Sequence, residues 1–185
     1  HQADGIWLGH VLVGYNRLAI MVKKGNPKNL TADLNQLTNQ DLSVVLPSPE
    51  SSAVGREAKR TLDRLGLTQY TYKNITYFTT DSHRIAEAIK LGHADIALNW
   101  YAVAKWPETK VYMDAIRLSD GIAQPQKLEL NLLSYSQNQS LAKQFMNYAS
   151  SAKGLKVFAD YGFLTEHELE PVSYTHLTLP TSVPV

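Results

Sequence analysis

The chain contains no cysteine. That excludes disulfides, thiolate metal sites and cysteine nucleophiles, and it leaves the redox compartment open. Long hydrophobic runs are missing too. The apolar stretch at residues 18–22 falls far short of the ~20 residues that span a bilayer. Neither sign of charge dominates: 18 Lys and Arg stand against 17 Asp and Glu, for a formal net charge of +1. No global field therefore draws the chain to nucleic acid or to anionic lipid. The first residue is His1, and no charged segment followed by an apolar one comes after it. The expectation is a piece of a longer protein whose targeting signal lies upstream. What is present suffices for a core: 44% of residues are hydrophobic and 19% charged, which excludes intrinsic disorder. At ~150 residues per domain, the length suits one large domain or two small lobes.

Strand-like and helix-like segments alternate along the chain. Residues 16–23 (NRLAIMVK) read as a buried strand before the turn Lys24-Gly25-Asn26-Pro27. A helix is predicted over 30–37, with Thr31 as N-cap and Ala32, Leu34 and Leu37 on its apolar face. Residues 42–46 form a strand stopped by Pro47 and Pro49. In 54–65, Val54, Ala58, Leu62 and Leu65 make one helical stripe, which Gly66 ends. Strands follow at 74–79, 94–100, 111–118 and 128–135. Helices follow at 83–91, closed by Gly92, and as a pair at 139–149 and 151–161. Strands separated by helices predict an α/β fold with a largely parallel sheet. Residues 172–181 (VSYTHLTLPT) match one translated frame of a common transposon-based sequencing adapter. Residues 172–185 are accordingly read as a non-native tail.

Two strand-to-helix loops carry the candidate chemistry. The first is Pro47-Ser48-Pro49-Glu50-Ser51-Ser52-Ala53-Val54-Gly55, and the second is Thr80-Asp81-Ser82-His83. Each delivers small or hydroxyl residues to a helix N-terminus, where unpaired backbone N–H groups and the helix dipole favour an anion. In open α/β sheets ligands lie at the carboxyl ends of the strands, which is where these loops are. The alternative role for Ser51, Ser52, Asp81 and Ser82 is helix capping alone. His93 and Asp95 have the spacing of a metal pair but no third ligand nearby. Asp81, Ser82 and His83 are triad residue types without triad spacing. Arg56 and Arg84 lie near the same helix starts, facing either an anion or solvent.

From about Asn16 to Leu164 the chain resembles the molybdate-binding type of periplasmic substrate-binding protein, the receptor of an ABC importer. The matching pieces are NRLAIMVKKGNPKNL, VVLPSPESSAVGREAKRTLDRLGL, HRIAEAIKLGHADIALNWY and SLAKQFMNYASSAKGLKVFADYGFL, in that order. The resemblance implies a two-lobed type II periplasmic-binding fold with one lobe incomplete. Its divisions are a lobe I remnant and crossover strand at 1–23, lobe II at 24–113, and a return strand with the lobe I C-terminal helices at 114–171. It also implies a small tetrahedral oxyanion in the interlobe cleft. Backbone N–H contacts map to Val54 and His83 and a tyrosine hydroxyl to Tyr101, with Ala53, Ser52 and Ser82 flanking; two serine contacts lie upstream of this sequence. His83 departs from the small apolar residue usual in the family. A protonated His there adds a charge-assisted bond or marks a different ligand.

These readings make the protein a monomeric receptor that is periplasmic or, as the alternative, extracellular and membrane-anchored. Its expected partners are the oxyanion and a membrane permease, with no nucleic acid, cofactor, metal or catalytic residue. The alternatives are the effector-binding domain of a transcription regulator with the same fold, or a receptor for sulfate, phosphate or a metal ion.

Overall fold

A computed structural model describes residues 5–169. The adapter-like tail at 172–185 lies outside the described residues. The larger sheet has five strands in the order β4-β3-β5-β2-β6. They are β2 (Leu18–Lys23), β3 (Val44–Pro47), β4 (Ile75–Thr79), β5 (Ile96–Trp100) and β6 (Met113–Arg117). Helices α1 (Ala53–Arg64) and α3 (Ser82–Leu91) cover its two faces, and α2 (Thr68–Asn74) leads into β4. A second, two-stranded antiparallel sheet pairs β1 (Trp7–Asn16) with β7 (Gln126–Leu133). Helices α4 (Gln139–Ala149) and α5 (Ala152–Asp160) pack on it.

The apolar run in β2 is explained by its place between β5 and β6. Leu18, Ile20 and Val22 join the core under α1, with Val44, Leu46, Val54, Ala58 and Leu62. Ala19 and Met21 join the core under α3, with Ile85, Ala86, Ala88 and Ile89. A strand covered on both faces needs a continuous hydrophobic run, not an alternating one. Each large side chain buried here contributes roughly 1.5–3 kcal/mol before entropy is counted.

The sheet is mixed, which corrects the largely parallel expectation. β3 runs parallel to β4 and β5, but β2 is antiparallel to both β5 and β6. The cause is that β2 enters from the smaller sheet and β6 leaves toward it, so the two crossover segments bracket three parallel strands. The helix expected at 30–37 is a 3-10 segment, Leu34–Thr38, capped by Asp33 and not Thr31. The Gln36 side chain bonds back to Thr31 and Asp33, which holds the preceding residues as a loop. Leu65 falls outside the α1 stripe: it is the C-cap and exposed, ahead of Gly66 at φ +69°. The strands and helices otherwise lie where expected, with no boundary shifted by more than two residues. Strand β1 and helix α2 were not anticipated.

The outer surface of α4 and α5 exposes Leu141, Phe145, Tyr148, Val157 and Tyr161. These two helices touch closely at Gly154, where an added Cβ would fall 2.3 Å from the Tyr148 carbonyl oxygen.

Candidate functional site

Three parallel strands end side by side, and each delivers one candidate residue. Val54 follows β3, His83 follows β4 and Tyr101 follows β5. Backbone and side-chain bonds tie the three loops together. Ser48 N–H donates to the Thr79 carbonyl at 2.8 Å, and the Ser51 hydroxyl donates to the Thr80 carbonyl at 3.1 Å. Buried Asn99 donates from Nδ2 to the Ser82 carbonyl at 3.0 Å. The sequence-predicted residues thus share one edge of the sheet.

The two helix N-termini are built alike, cap against cap. Ser52 caps α1, and its Oγ accepts from Gly55 N–H at 3.1 Å. Asp81 caps α3, and its Oδ1 accepts from Arg84 N–H at 3.0 Å. Val54 and His83 are therefore equivalent, each the second residue of its helix. They differ in what their N–H groups do. His83 N–H donates to Asp81 Oδ1 at 2.9 Å. Ala53 and Val54 have no acceptor within their own helix, as is usual for first-turn N–H groups. Ser52 Oγ also donates to the Ser48 carbonyl at 3.0 Å, which seats α1 on the Pro47–Pro49 turn. The fit there is tight: a Cβ on Gly55 would lie 2.1 Å from the Ser48 carbonyl oxygen.

Asp81 brings a negative charge to the start of α3. The backbone N–H of Arg84, helped by the Thr80 hydroxyl and His83 N–H, holds its carboxyl below the ordinary carboxylate range. His83 is exposed, with its ring 5.3 Å from that of Trp106. It borders an open cavity of about 410 Å³ with Glu87, Lys90, Glu108 and Tyr112, which Val54 and Tyr101 do not line. Tyr101 is half-buried and opens the 3-10 turn Tyr101–Lys105, and Lys105 Nζ lies 5.2 Å from its ring centre. Trp100 packs against both cores and so serves as wall. Arg84 pairs with Glu87 on its own helix at 3.0 Å, and Arg56 is exposed. Asp95 is engaged by Ser43 N–H and Lys28. Among the described residues no three His, Asp or Glu side chains converge on a metal position. No helix among them is long and apolar enough to cross a membrane.

One residue at this edge escaped the sequence reading. Arg17 lies between β1 and β2, at the end of β2 that adjoins Tyr101, and it is completely buried. Its carbonyl accepts from Tyr101 N–H at 2.9 Å. Its Nη1 donates to the Leu118 carbonyl at 3.0 Å and pairs with Asp120. An arginine opening a strand has no sequence signature that announces burial.

Residues 2–164 match the family model for bacterial extracellular solute-binding protein. The chain belongs to that family. Its members are solute-binding receptors, and the fold agrees. The chain is 24% identical over 155 residues to YvgL of Bacillus subtilis strain 168, named as an ABC transporter substrate-binding lipoprotein. That match covers 84% of this chain and 57% of YvgL, so the chain spans little more than half of its relative. Among solved structures, the periplasmic molybdate-binding protein of Azotobacter vinelandii superposes with a TM-score of 0.70 at 16% identity, covering 88% of this chain and 71% of that one. A periplasmic thiamin binding protein superposes with a TM-score of 0.66 at 18% identity, covering 97% and 63%. Likeness at this identity establishes the type II periplasmic binding fold. One structure is named for molybdate and the other for thiamin, so ligand choice rests on local residues.

Proposed function

We propose that the complete protein is the solute receptor of an ABC importer and works outside the cytoplasmic membrane. It binds a small tetrahedral oxyanion of the molybdate or tungstate kind between two lobes. The first lobe comprises the start of the chain and residues beyond about 114, and the second comprises residues 24–113. The observation that carries this reading is the pair of equivalent helix N-termini at adjacent strand ends. Ala53 and Val54 offer N–H groups at the first, His83 offers one at the second, and Tyr101 offers a hydroxyl beside them. Ser52 and Ser82 shape the two helix starts.

Closure of the lobes removes the anion from water, and convergent hydrogen bonds offset that desolvation. At α3 the anion takes the position of Asp81 Oδ1, because two negative groups cannot share one donor at low cost. The closed form is what the permease recognises. No covalent step is needed.

Asp81 also favours a second ligand: an oxyanion that carries a proton, such as hydrogen phosphate. Its carboxylate would then accept that proton and stay in place. Calorimetry of the full-length protein with molybdate, tungstate, sulfate and phosphate tests both readings. Heat from molybdate or tungstate supports the first, and heat from phosphate alone selects the second. No heat from any of the four removes the oxyanion reading.

A further inference from the structure

The Arg17 guanidinium is anchored at one end only. Nη1 is engaged by Leu118 and Asp120 on the return crossover. Nε and Nη2 are buried and have no hydrogen-bond partner. Buried polar groups are nearly always satisfied, and an unmet donor on a charged group is costlier than one on a neutral group. The unmet pair is also chemically specific. Nε–H and one Nη2–H lie parallel along one edge of the planar guanidinium, the spacing that takes two oxygens of a carboxylate or tetrahedral oxyanion at once.

The place of the Arg17 backbone in the sheet narrows the role of this edge. Strand order places Arg17 on the strand next to the one that delivers Tyr101, at the same sheet end as Val54 and His83. The Arg17 carbonyl holds Tyr101 N–H, and Asn16 Oδ1 accepts from Ala102 N–H at 3.3 Å. The start of β2 and the tyrosine turn are therefore one rigid unit.

We propose that Arg17 is a ligand-contacting residue whose Nε and Nη2 bind two oxygens of the anion in this site. The inference rests on the oxyanion reading above and deepens it. The site would hold its ligand with one buried positive charge, not with neutral donors alone. Asp120 partly neutralises that charge and limits affinity.

The test uses the full-length protein with molybdate, sulfate and phosphate as probes. In the wild type, the 15N–1H resonance of Arg17 Nε should move on saturation with the anion that gives heat. Arg17→Lys keeps the charge but loses the fork, and should bind roughly 10- to 100-fold more weakly, the loss of a charge-assisted pair. Asp120→Asn should bind more tightly, an effect that a merely structural arginine would not produce. An unmoved Nε resonance in anion-saturated wild type overturns the proposal, even if Arg17→Lys fails to fold. So does a folded Arg17→Lys variant with wild-type affinity. No heat from wild type with any probe removes the oxyanion reading and this contact with it, which separates the two failures.

Discussion

The starts of α1 and α3 use the same backbone device to opposite electrostatic effect. In both, the cap oxygen bonds the third N–H of the helix. The neutral Ser52 hydroxyl stops there. The Asp81 carboxylate takes the second N–H as well and adds a charge. The second residue differs accordingly, with Val54 sealed into the core and His83 exposed. A helix N-terminus is an anion site only to the extent that its own cap leaves donors unoccupied. Sequence likeness between two such loops does not reveal that.

Substitutions at matched positions can break this comparison. The largest difference is expected at the third helical residue. Gly55→Ala forces a Cβ into the Ser48 carbonyl and should destabilise the fold by about 3 kcal/mol. Arg84→Ala, at the matching exposed place in α3, should stay within about 0.5 kcal/mol. Urea unfolding of both variants measures the contrast, and equal losses would show that α1 is not seated as described.

At the second residue, Val54→Ala should cost about 2 kcal/mol through lost burial. His83→Ala should change stability little.

Loss of either cap should cost about 1 kcal/mol at neutral pH. Only the Asp81 contribution should depend on acid. Its carboxyl is depressed in the folded state, so its stabilisation is complete above the ordinary carboxylate range and fades as pH falls through the lowered value. A pH series of unfolding curves should show the Asp81→Ala penalty shrinking in acid while the Ser52→Ala penalty persists.

The smallest effect expected is on ligand affinity. Asp81→Asn removes a like charge at the mouth of the site and should tighten molybdate binding about threefold. Loss of phosphate binding in the same variant would favour the proton-accepting role.

Much of the larger sheet was legible because its signals are local. The stripe Val54, Ala58, Leu62 and the glycines ending α1 and α3 act over a few residues. The unbroken run Leu18–Val22 needed only its own composition to read as buried. Strand direction was not legible, since β2 takes its orientation from partners that follow far downstream. Helix α2 was hidden by Thr68, Tyr70, Thr71 and Tyr72, β-favouring residues that tertiary context overrides: Tyr72 packs edge-on against Phe78, with ring centres 5.2 Å apart. Asn74 ties the end of α2 to the carbonyls of Leu37 and Asn39. Strand β1 is broken by register shifts next to Gly9 and Gly14, which blurs its alternation. Within the site, the placement of Val54, His83 and Tyr101 on one edge follows from strand order. The capture of His83 N–H by Asp81 and the burial of Arg17 depend on side-chain geometry that spacing does not encode.

The central place of β2 also shapes how the chain must fold. Leu18 meets Trp100, and Ala19 meets Arg117, so the second strand made is among the last to be paired. The N–H and C=O groups along its two edges have no ladder partner until most of the larger sheet has appeared. Contacts of such sequence separation slow folding, because loop closure precedes any gain from packing. The three parallel strands can gather first around their own helices, leaving a slot that β2 fills late. A chain wired in this way resists premature closure while it is still emerging, whether from a ribosome or through a narrow pore.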